Sequence, residues 1–292
     1  MDIEPMAPDS ALIFRHSDKE GDAITPEGRE RALEVGRTQL AETINATPEN
    51  AIILCIGTSN KNRTRQTLNY LVEGYESTPD AARLINSETV GERIGGDQSN
   101  SLSRMLAEGN RMIEETPSRV LVQMPMFVRG LDTINRLAPT AEAQAYHDEL
   151  DANPDLQTDG APDIDRAFNY YMSQALAGAS DPRAPTPDEV GKAVQDAVTR
   201  IHQAAGRHLS GANATRPLVL MMVGHSWGID AAVARYVSQG DITHEGAQFL
   251  GETLIGPSEG VQITFTPGRD RATQVPTSTH ISYRDQERDL AA

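Results

Sequence analysis

Residues 217 to 236 read PLVLMMVGHSWGIDAAVARY, and the fold turns on how that stretch divides. Its first part is an apolar run bounded by a proline and a glycine, the pattern of a buried strand. From Ser226 onward the apolar residues recur at helical spacing. A strand that stops at a glycine and passes directly into a helix is one half of a parallel-sheet unit. The junction carries Gly224-His225-Ser226, so the chemistry at this point belongs either to the imidazole or to the hydroxyl.

Similar runs lie on both sides of it. ALIFR (11–15), AIILCIG (51–57), RVLVQM (119–124) and VQITFT (261–266) are short apolar segments separated by stretches with helical spacing. Thr25-Pro26-Glu27 opens one helix, with a capping hydroxyl, a proline at the first helical position and an early glutamate; Ala32, Val35, Gly36 and Leu40 suit its buried face. Thr186-Pro187-Asp188-Glu189 opens another, whose Val190, Val194, Ala197, Ile201, Ala205 and Leu209 repeat at three and four residues. The alternation predicts an α/β fold, a three-layer α/β/α sandwich around a mostly parallel sheet. Residues from about 95 to 185 are rich in turn-forming and acidic residues, and read as a helical and irregular cap inserted into one domain spanning 1–292.

The charge balance narrows the function. Forty-two Asp and Glu against 26 Lys and Arg leave a formal charge of −16, which argues against nonspecific binding to nucleic acid or to anionic membranes. Cys55 is the only cysteine, so neither an intramolecular disulfide nor a cysteine-built zinc site is available. No apolar run approaches the roughly 20 residues that span a bilayer, and the first residues lack a charged-then-apolar signal. The expectation is a soluble, cytoplasmic protein.

Ligands of an open parallel sheet collect beyond the carboxyl ends of its strands. Those ends carry Arg15 and His16, then Ser59, Arg63 and Arg65, then His225 and Ser226. Two histidines and several arginines suit a phosphoryl group, because guanidinium forks match its peripheral oxygens and a neutral imidazole can attack phosphorus. LIFRHSDKEGDAITPEGRERALEVG, SNKNRTRQT and VLMMVGHS, in this order, resemble the motifs of the histidine phosphatase superfamily, the phosphoglycerate mutase-like group. The resemblance covers residues 11–67 and about 188–235. It implies that His16 is the nucleophile, that Arg15 and Arg63 hold the phosphoryl oxygens, and that His225 donates to the same group. Ser17 stands where that family usually has glycine, which puts it among the substrate-binding residues. The general acid is Glu92 or Glu88, with Glu92 favoured because GERIGG is similar to the mutase pattern.

Gly224-His225-Ser226-Trp227-Gly228 also matches the nucleophile elbow of the α/β-hydrolases. That alternative needs an acid and a histidine after the serine. Asp241 follows too soon, and His280 has no evident carboxylate to orient it. Ser226 is therefore read as a helix-capping residue. His147, His202, His208 and His244 are read as surface residues, RDQERDL (284–290) as an exposed charged tail, and no histidine pair suggests a metal. The implied activity is a metal-independent phosphatase working through a phosphohistidine, with no cofactor. Its substrate would be a phosphorylated small molecule or a phosphopeptide. Phosphoglycerate mutase-like transfer and an inactive binding protein of the same fold are the remaining alternatives, and the oligomeric state stays open.

Overall fold

The computed structural model of the chain describes residues 7–94, 102–131, 141–266 and 271–290. A mixed eight-stranded sheet runs through it. In chain order its strands are β1 (Asp9–Arg15), β2 (Ile52–Thr58), β3 (Arg83–Asn86), β4 (Val120–Phe127), β5 (Leu218–Gly224), β6 (Gly260–Phe265), β7 (Ser278–Tyr283) and β8 (Gln286–Asp289). In space they follow the order β8-β7-β6-β1-β5-β2-β4-β3. The five from β1 to β3 in that order are parallel, and β6, β7 and β8 extend the sheet antiparallel from β1. Two short ribbons, Lys19–Glu20 with Ala23–Ile24 and Gln157–Thr158 with Ala161–Pro162, lie outside it.

The α-helices in chain order are α1 (Pro26–Val35), α2 (Ala41–Asn45), α3 (Asn62–Glu76), α4 (Ser87–Ile94), α5 (Leu102–Glu114), α6 (Ala141–Ala152), α7 (Ile164–Leu176), α8 (Pro187–His208), α9 (Ser226–Ser238) and α10 (His244–Leu250). Successive side chains of a strand point to opposite faces, and here both faces are covered. Ala11, Ile13, Ile52 and Leu54 enter one core with α8 and α9. Leu12, Phe14, Ile53 and Cys55 enter the other with α2 and α3. This is why β1, β2 and β5 read as unbroken apolar runs and not as an alternation. Gly36 and Gly74 let the α1 segment approach α3 closely, since a Cβ on either would meet backbone of the other helix.

Both helix starts form as the sequence predicts. Thr25 Oγ1 accepts from Gly28 N at 3.0 Å. Thr186 and Glu189 make a reciprocal capping box, with Thr186 Oγ1 accepting from Glu189 N at 3.2 Å and Glu189 Oε2 accepting from Thr186 N at 2.7 Å. All six apolar residues named on the buried face of α8 are buried.

Two expectations are corrected. The RDQERDL segment is not a free tail: Gln286–Asp289 pairs with β7 as the edge strand, and Leu290 after it is buried. Its charges are those of a sheet edge exposed to water. His202 is a core residue, not a surface one. At the end of the sheet away from the strand carboxyl termini, Asp9 accepts from His202 Nε2 (2.8 Å), from Arg271 through two nitrogens (both 2.6 Å) and from Leu218 N (2.8 Å), and all three side chains are buried. A buried carboxylate persists here because every attraction it needs is supplied.

Within the stretch expected to form a cap, residues 95–101 and 132–140 lie outside the described residues. The part from 141 to 185 forms α6, the ribbon and α7, and sends Leu150, Leu156, Phe168 and Tyr171 into the core shared with the sheet.

Candidate active site

Strand register decides which side chains meet. Arg15 at the end of β1 lies opposite Gly224 at the end of β5, and His16 N donates to Gly224 O at 3.1 Å. On the other side of β5, Thr58 at the end of β2 lies opposite Val223. The residues that follow these three ends therefore emerge side by side. The rings of His16 and His225 stand edge to face, with centroids 5.0 Å apart and planes at 73°. Both side chains, with Arg15 and Arg63, line one cavity of about 470 Å³.

Each imidazole is held by a defined partner. His16 Nδ1 lies 2.8 Å from Ser17 O. A carbonyl only accepts, so Nδ1 donates and the lone pair of the neutral ring sits on Nε2. His225 Nε2 lies 3.1 Å from Ser59 Oγ. Ser59 Oγ in turn accepts from Lys61 N (3.2 Å) and pairs with Thr64 Oγ1 (3.0 Å), whose hydroxyl also reaches the Lys61 carbonyl (2.8 Å).

The electrostatics keep both rings uncharged. Burial, then the charges of Arg63, Arg15 and Lys19, pull His16 down to about 4, against the opposing effect of its bond to Ser17 O. His225 is pulled lower still, by burial first and then by His16, Arg63, Lys61 and Arg15. Arg15 Nη1 donates to Ile255 O at 2.6 Å, and its Nε is buried without a hydrogen-bond partner among the described residues. Arg63 reaches Gly21 O (3.5 Å) and Asp22 Oδ1 (3.4 Å) from the first turn of α3. The result is a cavity wall that brings together two imidazoles held toward their neutral form and two guanidinium groups, a set whose charge and donors complement an oxyanion.

Other predicted residues lie elsewhere. Ser17 is fully buried, and its hydroxyl donates to Gly28 O at 2.6 Å while its N donates to Thr67 Oγ1 at 3.0 Å. Its side chain thus ties the turn to α1 and does not line the cavity. Glu88 and Glu92 are exposed on α4 and are absent from the cavity wall. That helix follows β3, four strand positions from β1, or about 19 Å across the sheet. Arg65 is exposed and bonded to Asn62 Oδ1.

Ser226 is the first residue of α9 with His225 at the N-cap position, and no side-chain cap bond forms there. The capping role is therefore not realised. His280 does have a carboxylate, Asp289 Oδ1 at 2.9 Å. Through Thr264 it aligns with Ser10, five residues before the end of β1 and hence roughly 17 Å from the strand carboxyl ends. It cannot serve Ser226.

The cavity also has walls that the sequence reading did not assign: Lys19, His147, Asp151 and Trp227. His147 and Asp151 are four residues apart on α6 and so share a face. Expected at the surface, His147 is half-buried and packs against Trp227, with ring centroids 5.7 Å apart. Trp227 stacks on Tyr171 of α7 at 5.3 Å and 21°. The indole next to His225 is thereby the post on which the 141–185 segment rests. The helical spacing of His147 and Asp151 was a readable signal, but nothing local to α6 says which sheet residues it covers.

Fold and site together define an α/β protein with a histidine pair and arginines at the carboxyl ends of parallel strands. No family model matches the chain, and no curated protein matches it. Among solved structures it is similar to one described as mycobacterial hydrolase 2, at 14% identity over 98% of this chain and 94% of that one, TM-score 0.47. It is also similar to a mycobacterial glucosyl-3-phosphoglycerate phosphatase, at 14% identity over 93% and 97%, TM-score 0.43. A third is a phosphoglycerate mutase from Bacillus anthracis, at 12% identity over 90% of each chain, TM-score 0.41.

Proposed function

We propose that the protein is a phosphatase of the histidine phosphatase type, hydrolysing phosphate monoesters through a phosphohistidine on His16. The observation that carries this is the pairing of His16 and His225, 5.0 Å apart, in a buried cavity end flanked by Arg15 and Arg63. His16 Nε2, with its lone pair set by the Nδ1 bond to Ser17 O, attacks phosphorus in line with the leaving oxygen. The P–N bond forms as the P–O bond to the alcohol breaks. Arg15 Nε, Arg63 and His225 take the peripheral oxygens, and the arginines supply positive charge where negative charge is concentrated. The departing alkoxide needs a proton. Glu88 and Glu92 stand outside the cavity, whereas Asp151 is the carboxyl in its wall, which supports Asp151 as the donor and then as the base for the water that cleaves the phosphoenzyme.

The test is a phosphate-release assay on p-nitrophenyl phosphate with chelator present, together with detection of an acid-labile, base-stable phosphoryl group on the chain. Wild type should turn over and trap label on His16, His16→Ala should do neither, and Ser226→Ala should retain measurable turnover. Label elsewhere than His16, or release that depends on Ser226 and not on His16, would refute the proposal.

A further inference from the structure

The wall that α6, the ribbon and α7 contribute has a different chemistry from the strand ends. Leu150 on α6, Pro162 on the ribbon, and Ile164 and Ala167 on α7 line it, together with Trp227. Leu150 and Ala167 are buried, but Ile164 keeps 48% of its surface exposed. An exposed branched aliphatic residue is notable in this segment, which between 141 and 185 has nine Asp and Glu residues, two arginines and no lysine. An apolar wall with a few polar groups is the ordinary makeup of a small-molecule site.

The two arginines of the segment do not serve the cavity. Arg183 forms paired bonds to Glu149 (2.7 Å each) and further bonds to Asp181. Arg166 is held by the Gln157 carbonyl at 3.1 Å and by Asp163. The charged side chain that the segment does bring to the cavity wall is Asp151. Lys19, the remaining cation of the wall, acts on His16 and so belongs to the phosphoryl side. A second anionic group reaching toward α6 and α7 would meet Asp151, which supplies no positive charge in either protonation state, and an apolar surface, with desolvation uncompensated. His147 Nε2 and Trp227 Nε1 are both buried without hydrogen-bond partners among the described residues. The indole offers one donor, and the imidazole, held toward its neutral form by burial, one hydrogen-bonding position, so neither supplies a positive charge.

We infer that the esters cleaved here are those of neutral, apolar alcohols, with the alkyl or aryl group lying between Leu150, Ile164 and Trp227. This rests on the reading of the site as a phosphomonoesterase, and it sets the substrate class apart from phosphorylated acids, sugar bisphosphates and acidic phosphopeptides.

The experiment compares kcat/KM of the full chain on propyl, butyl and hexyl phosphate with that on glycerol 3-phosphate, 3-phosphoglycerate and phosphocholine. Burial of the chain predicts a rise of about two- to four-fold per methylene, and at least a ten-fold preference for hexyl phosphate over 3-phosphoglycerate. Ile164→Asp alters an already exposed position, so it should fold, which thermal melting checks. It should flatten the dependence on chain length by raising KM for hexyl phosphate. Binding of hexylphosphonate against methylphosphonate, read by calorimetry, should show the same ordering without turnover. Cleavage of p-nitrophenyl phosphate with a preference for 3-phosphoglycerate or phosphocholine overturns the inference and leaves the phosphatase standing. Failure to cleave any of these esters overturns both.

Discussion

Protonation of His16 is the perturbation that tests the site most directly. The proposed role of His16 as nucleophile needs a free Nε2 lone pair, and the structure places the ring where burial and the charges of Arg63, Arg15 and Lys19 hold it down to about 4. Relative to an unperturbed value of about 6.5, that is on the order of 3 kcal/mol of bias toward the neutral form. At pH 5 about 90% of His16 would be neutral, against about 3% for an unperturbed histidine, a difference of roughly thirty-fold in competent enzyme. The assay is the 15N side-chain spectrum of the ligand-free chain between pH 4 and 8, assigned with His16→Ala, alongside kcat/KM corrected for the ionisation of the ester. The expected result is a His16 resonance that stays in the Nδ1–H form down to about pH 5 and an acid limb of kcat/KM below that. Added inorganic phosphate should move the His225 titration upward, because an oxyanion between the rings favours their charged forms. A His16 midpoint near 6.5 would refute the electrostatic account.

Two further outcomes follow from buried carboxylates outside the cavity. Asp9→Ala strands the buried Arg271 guanidinium and should cost about 3–5 kcal/mol, lowering Tm by on the order of 10 °C in a melting experiment. Burial opposes ionisation of Asp9, but the bonds from His202 and Arg271 outweigh it and hold its pKa below the ordinary value. Its contribution in the native chain is therefore present above about pH 4 and lost as the pH falls through that depressed value. Asp230 behaves in the opposite sense. Burial raises it to about 7, although Oδ1 accepts from Tyr283 Oη and from Ile255 N at 3.1 Å and Arg15 lies nearby. Its stabilising protonated form is fully present below about pH 4 and lost as the pH rises through 7. Asp230→Asn should match wild type in Tm at pH 4 and exceed it at pH 8; equal Tm differences at both pH values would show that Asp230 does not titrate in the native state.

The apolar runs at 11–15, 51–57, 119–124 and 217–223 were legible as strands because each sends side chains into both cores, and 261–266 because Val261, Ile263 and Phe265 alternate with less buried residues. The starts of α1 and α8 were legible because capping is local chemistry, settled by Thr25 and Thr186 and the residues that follow them. β3 and β7 were not, since RLIN and STHISY mix polar and apolar residues at sheet positions whose burial depends on neighbours distant in sequence. His202 could not be told from a surface histidine because its partner, Asp9, lies 193 residues away, and Arg271, which shares that carboxylate, comes from another part of the chain.

By itself the sequence determined the layers, the ends of the parallel strands and the residue types at those ends, because periodicity and caps depend on a few neighbouring positions. Only the tertiary structure decided that the rings of His16 and His225 stand 5.0 Å apart, that the Ser17 hydroxyl turns to Gly28 and away from the cavity, and that Asp151 and not Glu88 or Glu92 stands in its wall. Those facts depend on register between strands and on how α6 and α7 rest upon Trp227, and packing between distant segments leaves no mark in any short stretch of sequence.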